Sequence, residues 1–241
     1  MIPKVIHYIW LGQGALNNTS LMCVNSWRRH LSNYEIIRWD EKNLDLRMLT
    51  EGNLFLKKCY QNKLWAFMSD YLRLYILYHY GGIYMDADVE VVKNFEPLLS
   101  LQCFMGYEVG EDGVGDYIGS GTIGAEKYNK TIKRLLDFYD DEIWHTKDYI
   151  NPIIYKKIHI QEPTYFDGSV IFPVEYFSPY NPWRENQGIV ESFSTFTIHW
   201  YNANWGMNRS GYVFITTKYI KNPIILFFTK IRRTIGFLKR K

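Results

Sequence analysis

The stretch from Leu64 to Glu90, LWAFMSDYLRLYILYHYGGIYMDADVE, constrains this chain more than any other. Leu64, Phe67, Tyr71, Leu74 and Tyr78 recur at spacings of three and four, which predicts a helix with one face on a core. Asp70 and Arg73 lie three apart and share a different face of that helix. Gly81-Gly82 supplies the stop, where a positive φ is needed. Ile83-Tyr84-Met85 is a short apolar run suited to a buried strand, and it delivers Asp86-Ala87-Asp88. In extended backbone residues i and i+2 point the same way, so the two carboxylates converge where the strand ends. Paired carboxylates beside an Asp/Arg pair from the preceding helix predict a metal-dependent phosphate site.

The flanking segments fit an α/β order. Val5 to Trp10 is an apolar run broken by Leu11-Gly12-Gln13-Gly14, expected as a central first strand with a glycine turn at its carboxyl end. Ligands of open α/β sheets sit outside the carboxyl ends of strands, so Trp10 is placed to stack on a ring; the alternative is a core aromatic. Residues 18–31 read as a helix, Tyr34 to Trp39 as a second strand ending at Asp40, and about 52–60 as a short helix. Asp40 either bonds a ribose or base edge or caps the next segment of chain. Val89, Val91 and Val92 continue the strand or its neighbour, and Phe104 to Tyr107 is a further strand. Residues 108–117 are acidic and glycine-rich, expected as a mobile loop near the site, and Gly119-Ser120-Gly121 either allows close backbone approach to a ligand or serves plain turn chemistry. Thr131 to Ile143 is predicted as an amphipathic helix, while 150–185, rich in Pro and aromatics, shows no clear period and suits an acceptor-side surface. His199 ends a β-rich run and is either a third metal ligand or a satisfied structural imidazole.

Length and composition set the class. The 241 residues suit one α/β domain, taken as 1–220, with a separate tail at 221–241. The 20 Tyr, 14 Phe and 8 Trp exceed the needs of a core and suit a surface for sugar rings or bases. A net charge of +3 gives no argument for nucleic acid, which is not expected as a partner. Cys23, Cys59 and Cys103 match neither a disulfide framework nor a zinc site, which fits a reducing cytoplasm. The start MIPKVIHYIW has no signal-peptide pattern, and no apolar run reaches the ~18 residues that span a bilayer. The tail places Phe227, Phe228, Ile231, Ile235 and Leu238 near helical spacing among Lys221, Lys230, Arg232, Arg233 and the terminal basic residues. That pattern is expected on an anionic membrane surface, the alternative being a helix packed on the domain with its basic face in solvent.

Three blocks in order, IPKVIHYIWLG, SDYLRLYILYHYGGIYMDADV and IHWYNANW, carry a resemblance to the DXD sugar-binding glycosyltransferases of family 32. That family includes capsular and other surface-polysaccharide transferases and yeast outer-chain mannosyltransferases, and it is similar to the catalytic domains of clostridial glucosylating toxins. A lone D-x-D is common by chance; S-D-x-x-R-x-x-x-L-x-x-x-G-G-x-Y-x-D-x-D is specific. The resemblance implies a GT-A fold, a Rossmann-like single α/β domain, and a metal-dependent transferase that moves a hexose with retained configuration. The donor it implies is a nucleotide-sugar (UDP-sugar ahead of GDP-mannose), and the cofactor Mn²⁺ or Mg²⁺. Asp70, Arg73, Asp86 and Asp88 would be catalytic, with the metal on Asp86, Asp88 and His199. The donor would meet Ile9, Trp10, Asp40, Ser69, Asp70, Arg73, Tyr84, Asp86, Ala87, Asn204 and Trp205. Trp10 would stack on the base, and Asp86 would meet the ribose. Relatives carry H-x-x-x-S-W; here Trp205 stands at another spacing from His199, and Asn204 replaces Ser. The acceptor implied is a glycan or lipid-linked oligosaccharide, handled at the cytoplasmic face of the membrane. A protein-glycosylating effector and a non-catalytic sugar-binding module are the other classes.

Overall fold

A computed structural model describes residues 1–12, 14–110, 113, 115–202 and 207–238. The chain begins with β1 (Val5–Ile9), α1 (Asn18–His30) and β2 (Glu35–Trp39), followed by α2 (Leu46–Gly52) and α3 (Leu54–Gln61). The central passage is α4 (Trp65–Tyr80), β3 (Gly82–Met85) and β4 (Val89–Val91). Then come β5 (Cys103–Glu108), β6 (Tyr117–Ile118), β7 (Thr122–Ala125), α5 (Lys130–Asp137) and α6 (Asn151–Gln161). The chain closes with β8 (Ser169–Phe172), α7 (Val174–Phe177), β9 (Thr197–His199), α8 (Arg209–Thr217) and α9 (Pro223–Leu238).

The main sheet runs β2-β1-β3-β7-β5-β6, with β8 also paired to β5. β1 is parallel to β2 and β3, whereas β7 is antiparallel to β3 and β5, so the sheet is mixed. Because β1 and β3 run parallel, their carboxyl ends lie side by side, which brings Trp10 next to the carboxylates after β3. Strand alternation divides the core. Ile6, Tyr8, Ile83 and Met85 face α1, packing with Trp27, while Ile9 and Tyr84 face α4.

α4 departs from a single apolar stripe. Met68, Ser69, Tyr71, Leu72, Arg73, Leu74, Ile76 and Leu77 are all buried, so the helix is enclosed on most sides, while Phe67 and Tyr78 are half-buried at its margin. Gly81 (φ 67°) ends it, and a Cβ there would come within 2.8 Å of the Lys127 nitrogen. The short helix expected over about 52–60 is α3, and a further helix, α2, precedes it; the two divide at Asn53, whose side chain caps α3 by accepting from the Leu56 N–H. The helix expected over 131–143 is regular only to Asp137, then widens to a π turn over Phe138–Glu142. The region 150–185 is more ordered than its texture predicts. It holds α6, whose Ile154, Tyr155 and Ile158 are buried while Ile153 and Ile160 stay exposed. Apolar residues all round the helix hide its period. All three cysteines are buried free thiols.

Candidate active site

Local bonding fixes the turn after β3. The Asp86 N–H donates to the Gly121 carbonyl (2.9 Å), and the Val89 N–H donates back to the Asp86 carbonyl (3.0 Å). α1 clamps the next strand: the Trp27 indole N–H donates to the Val89 carbonyl (2.7 Å), and Ser26 Oγ accepts from the Val91 N–H (2.9 Å). On the other side β4 pairs antiparallel with β9, setting Val89 opposite His199, and the Trp200 N–H donates to the Asp88 carbonyl (3.1 Å). A residue distant in sequence is thereby delivered to the carboxylates. His199 Nε2 lies 3.4 Å from Asp88 Oδ1, and Asp86, Asp88 and His199 offer ligand atoms within 4.8 Å of one another.

These residues fit a divalent cation. Two carboxylates and an imidazole are the donor set of Mn²⁺ and tolerate Mg²⁺. Among the described residues the buried His199 Nδ1 has no hydrogen-bond partner. A Cβ on Gly121 would lie 2.9 Å from that nitrogen and 3.5 Å from Asp86 Oδ2, so glycine keeps the space open. Burial disfavours the Asp88 carboxylate, yet His199 outweighs it and the net shift is downward. For His199, burial opposes the charge while Asp88 outweighs burial and raises it.

Arg73 supports the pair from below. Its side chain is 4% exposed and donates to Asp70 Oδ1 (2.9 Å), Asp86 Oδ2 (3.2 Å), and the Ser120 carbonyl and hydroxyl (2.6 and 3.0 Å). The guanidinium also lies over the Tyr84 ring at 4.7 Å, and the Tyr84 hydroxyl donates to Asp86 Oδ1 (2.7 Å). Asn151 donates to Asp70 Oδ1 at 2.8 Å, tying α6 to α4. Burial opposes the Arg73 charge, but Asp86, Tyr84 and Asp70 together hold it protonated. Arg73 is thus committed to fixing both carboxylates, and Asp86 takes one bond from each side.

Above this layer lies a cleft lined by Ile9, Trp10, Leu11, Ser20, Trp65, Asp86, Ala87, Asp88 and Asn202. It unites the predicted Ile9, Trp10, Asp86, Ala87 and Asp88. The Trp10 indole N–H donates to the Gly14 carbonyl (2.8 Å), which fixes the ring over the glycine turn. Asp70, Arg73 and Tyr84 lie beneath the cleft as its support. Ser69 is buried on α4, its hydroxyl donating to the Trp65 carbonyl (3.0 Å). Asp40 does not line the cleft: its carboxylate pairs with Arg38 (2.9 Å) and accepts from the Lys42 N–H (2.9 Å), closing the turn after β2. The next helix, α2, is capped by Asp45 instead. Asn204 and Trp205 lie outside the described residues.

Three contributors are not legible in the sequence. Trp65 and Ser20 occupy ordinary helical positions, and Glu108 looks like one more acid of a polar loop. In the fold Glu108 ends β5, where Tyr201 Oη lies 3.4 Å from its carboxylate and burial pushes the carboxyl up to about 7 against the pull of His199. Tyr201, backbone φ 47°, stacks on His199 at 3.9 Å between ring centroids.

The architecture has known counterparts. A solved structure titled "PaToxG Glycosyltransferase" superposes with a TM-score of 0.51 at 17% identity, covering 67% of this chain and 70% of that one. The fold is thus of the GT-A class. Residues 18–105 match the family described as the glycosyltransferase sugar-binding region containing the DXD motif. Inositol phosphoceramide mannosyltransferase 1 of Schizosaccharomyces pombe is 33% identical over 107 residues, 43% of this chain and 33% of that protein. Inositol phosphoceramide mannosyltransferase 3 of the same yeast is 30% identical over 101 residues, 41% of this chain and 27% of that protein. The match thus spans about a third of these relatives' length.

Proposed function

We propose that this chain moves a hexose from a nucleotide-sugar to a glycan or lipid-linked acceptor in surface-polysaccharide synthesis, with retained configuration and dependence on a divalent cation. The observation that carries the reading is the convergence of Asp86, Asp88 and His199 at the end of β3, beneath a cleft walled by Trp10 and Trp65. Trp10 offers an indole face to the base. Asp86, Asp88 and His199 would hold the cation, which when bound would supply Lewis-acid neutralisation of charge on the leaving diphosphate. Arg73 pairs with Asp86 and adds buried positive charge under the site. In a front-face substitution the bond from the sugar C1 to phosphate oxygen breaks as the acceptor oxygen bonds C1 on the same side. The acceptor proton passes to the departing phosphate oxygen, which needs no protein nucleophile.

UDP-sugars are the first donors to test, from the resemblance of the Trp10 block to the toxin group. GDP-mannose is the second reading, favoured by the names of the two yeast relatives. Those names also include a ceramide lipid, which supports a membrane-borne acceptor. α9 supports it too: Phe227, Phe228, Ile231 and Ile235 are exposed beside Arg232 and Arg233, as a helix lying on the anionic inner face of a membrane would require. Among the described residues no helix is long and apolar enough to cross one. Nucleotide-sugar hydrolysis over a donor panel, with Mn²⁺ or EDTA, tests the reading. Turnover of one donor, abolished by EDTA and reduced at least ~100-fold in Asp88→Ala, is expected. Absence of hydrolysis for every donor, with no thermal stabilisation by any donor plus Mn²⁺, overturns it.

A further inference from the structure

The segment His199 to Asn202 separates two depressions. On one side is the donor cleft, lined by Asp88 and Asn202. On the other is a second cavity, lined by Tyr180, Pro182, Trp183, Arg184, Glu185 and Trp200 among others. The two are mechanically linked, since Trp200 bonds the Asp88 carbonyl through its backbone and lines the second cavity with its ring.

That cavity is built rather than incidental. Its loop is closed by Gln187, whose amide accepts from the Asn181 N–H (2.7 Å) and donates to the Asn181 and Arg184 carbonyls (2.6 and 2.9 Å). The Trp200 indole N–H is tied to Glu90 at 3.0 Å, and the Tyr180 ring packs against it at 5.3 Å. Trp183 remains 51% exposed, with its ring 6.2 Å from Tyr201, which itself stacks on His199. An exposed tryptophan face, ringed by the charged side chains of Arg184 and Glu185, matches one chemistry. A pyranose ring presents an apolar C–H face to stack on indole and equatorial hydroxyls at its rim to hydrogen-bond.

We propose that this cavity is the acceptor subsite, binding a hexopyranose ring of the acceptor against Trp183. The inference rests on the glycosyltransferase reading, and it names where the second substrate sits: across the His199 segment from the donor. Two successive ring contacts, Trp183 to Tyr201 (6.2 Å) and Tyr201 to His199 (3.9 Å), connect this subsite to the metal-binding residues.

The test uses the full chain, the donor that the wild type hydrolyses with Mn²⁺, and a panel of p-nitrophenyl hexosides as acceptors. Saturation-transfer NMR measures glycoside binding, and product analysis gives the ratio of transfer to hydrolysis. For an accepted glycoside, Trp183→Ala is expected to raise KM and lower that ratio at least tenfold, with Trp183→Phe recovering most of it. An unchanged ratio overturns the proposal. So does a parallel fall in both rates, which would mark Trp183 as merely holding the loop. Hydrolysis by the wild type with no hexoside bound or used also overturns it, whereas failure of hydrolysis itself strikes the glycosyltransferase reading instead.

Discussion

At Gly121 one missing methyl group decides whether a cation fits. Gly121→Ala would place a carbon 2.9 Å from His199 Nδ1, closer than a Cβ tolerates, so the imidazole or the turn must shift. Misaligning a ligand in this way costs metal affinity, and Mn²⁺ binding measured by calorimetry is expected to weaken by roughly 10- to 100-fold while the fold persists. Unchanged affinity would remove Nδ1 and Gly121 from the metal site. Asp86 and Asp88 were legible because a two-residue spacing in a strand is a local fact. Gly121 was legible only as one of two readings, close approach to a ligand or plain turn chemistry, and the sequence could not choose between them. Glu108 was hidden for a related reason: its carboxylate meets Tyr201, far along the chain.

At the scale of elements, β1 and the end of α4 are joined through His7. Its Nε2 bonds the Gly81 carbonyl (2.9 Å), and Nδ1 accepts from the Trp39 indole N–H (3.1 Å), so the neutral ring is satisfied at both nitrogens. Burial lowers its pKa from 6.5 to about 4, against the opposing bond to Gly81. The sign comes from proton uptake. Between these values the unfolded chain binds a proton that the folded one refuses, so this group's contribution to stability falls as pH drops from 6.5 toward 4. At about 1.4 kcal/mol per pH unit, the full loss is on the order of 3 kcal/mol. Urea unfolding at a series of pH values should therefore show the stability difference between wild type and His7→Gln shrinking across that window. A pH-independent difference would contradict it. The comparison with the variant also removes the opposite trend from Glu108, whose raised pKa favours the folded state as pH falls.

Across the whole molecule, α9 stands apart. It packs on α8 through Phe237 against Tyr212 (5.5 Å), yet none of its residues is buried. Ile224, Phe227, Phe228, Ile231, Ile235 and Leu238 fall at i, i+3, i+4, i+7, i+11 and i+14, one apolar stripe left facing outward. Deleting residues 222–241 should release the protein from liposomes containing anionic lipid while metal-dependent donor hydrolysis continues. Raising salt should weaken binding of the intact chain by screening Arg232 and Arg233. Equal flotation of intact and truncated chains would assign the stripe to something other than a membrane.

The sequence by itself determined what is encoded over short distances: the helix from Trp65, the glycine stop, the strand to Met85 and the convergent Asp86 and Asp88. It also carried the outward stripe of α9, because helical period needs only neighbours along the chain. Tertiary structure alone decided that Arg73 is spent on fixing Asp70 and Asp86, that Asp40 closes a turn instead of lining the cleft, and that α6 exists within an aperiodic texture. It also decided that His199 meets Asp88, through the pairing of β4 with a strand about a hundred residues later. The physical reason is the same in each case. Backbone geometry sets where a side chain points relative to its neighbours in sequence, but burial, charge partners and empty space are made by segments that only folding brings together.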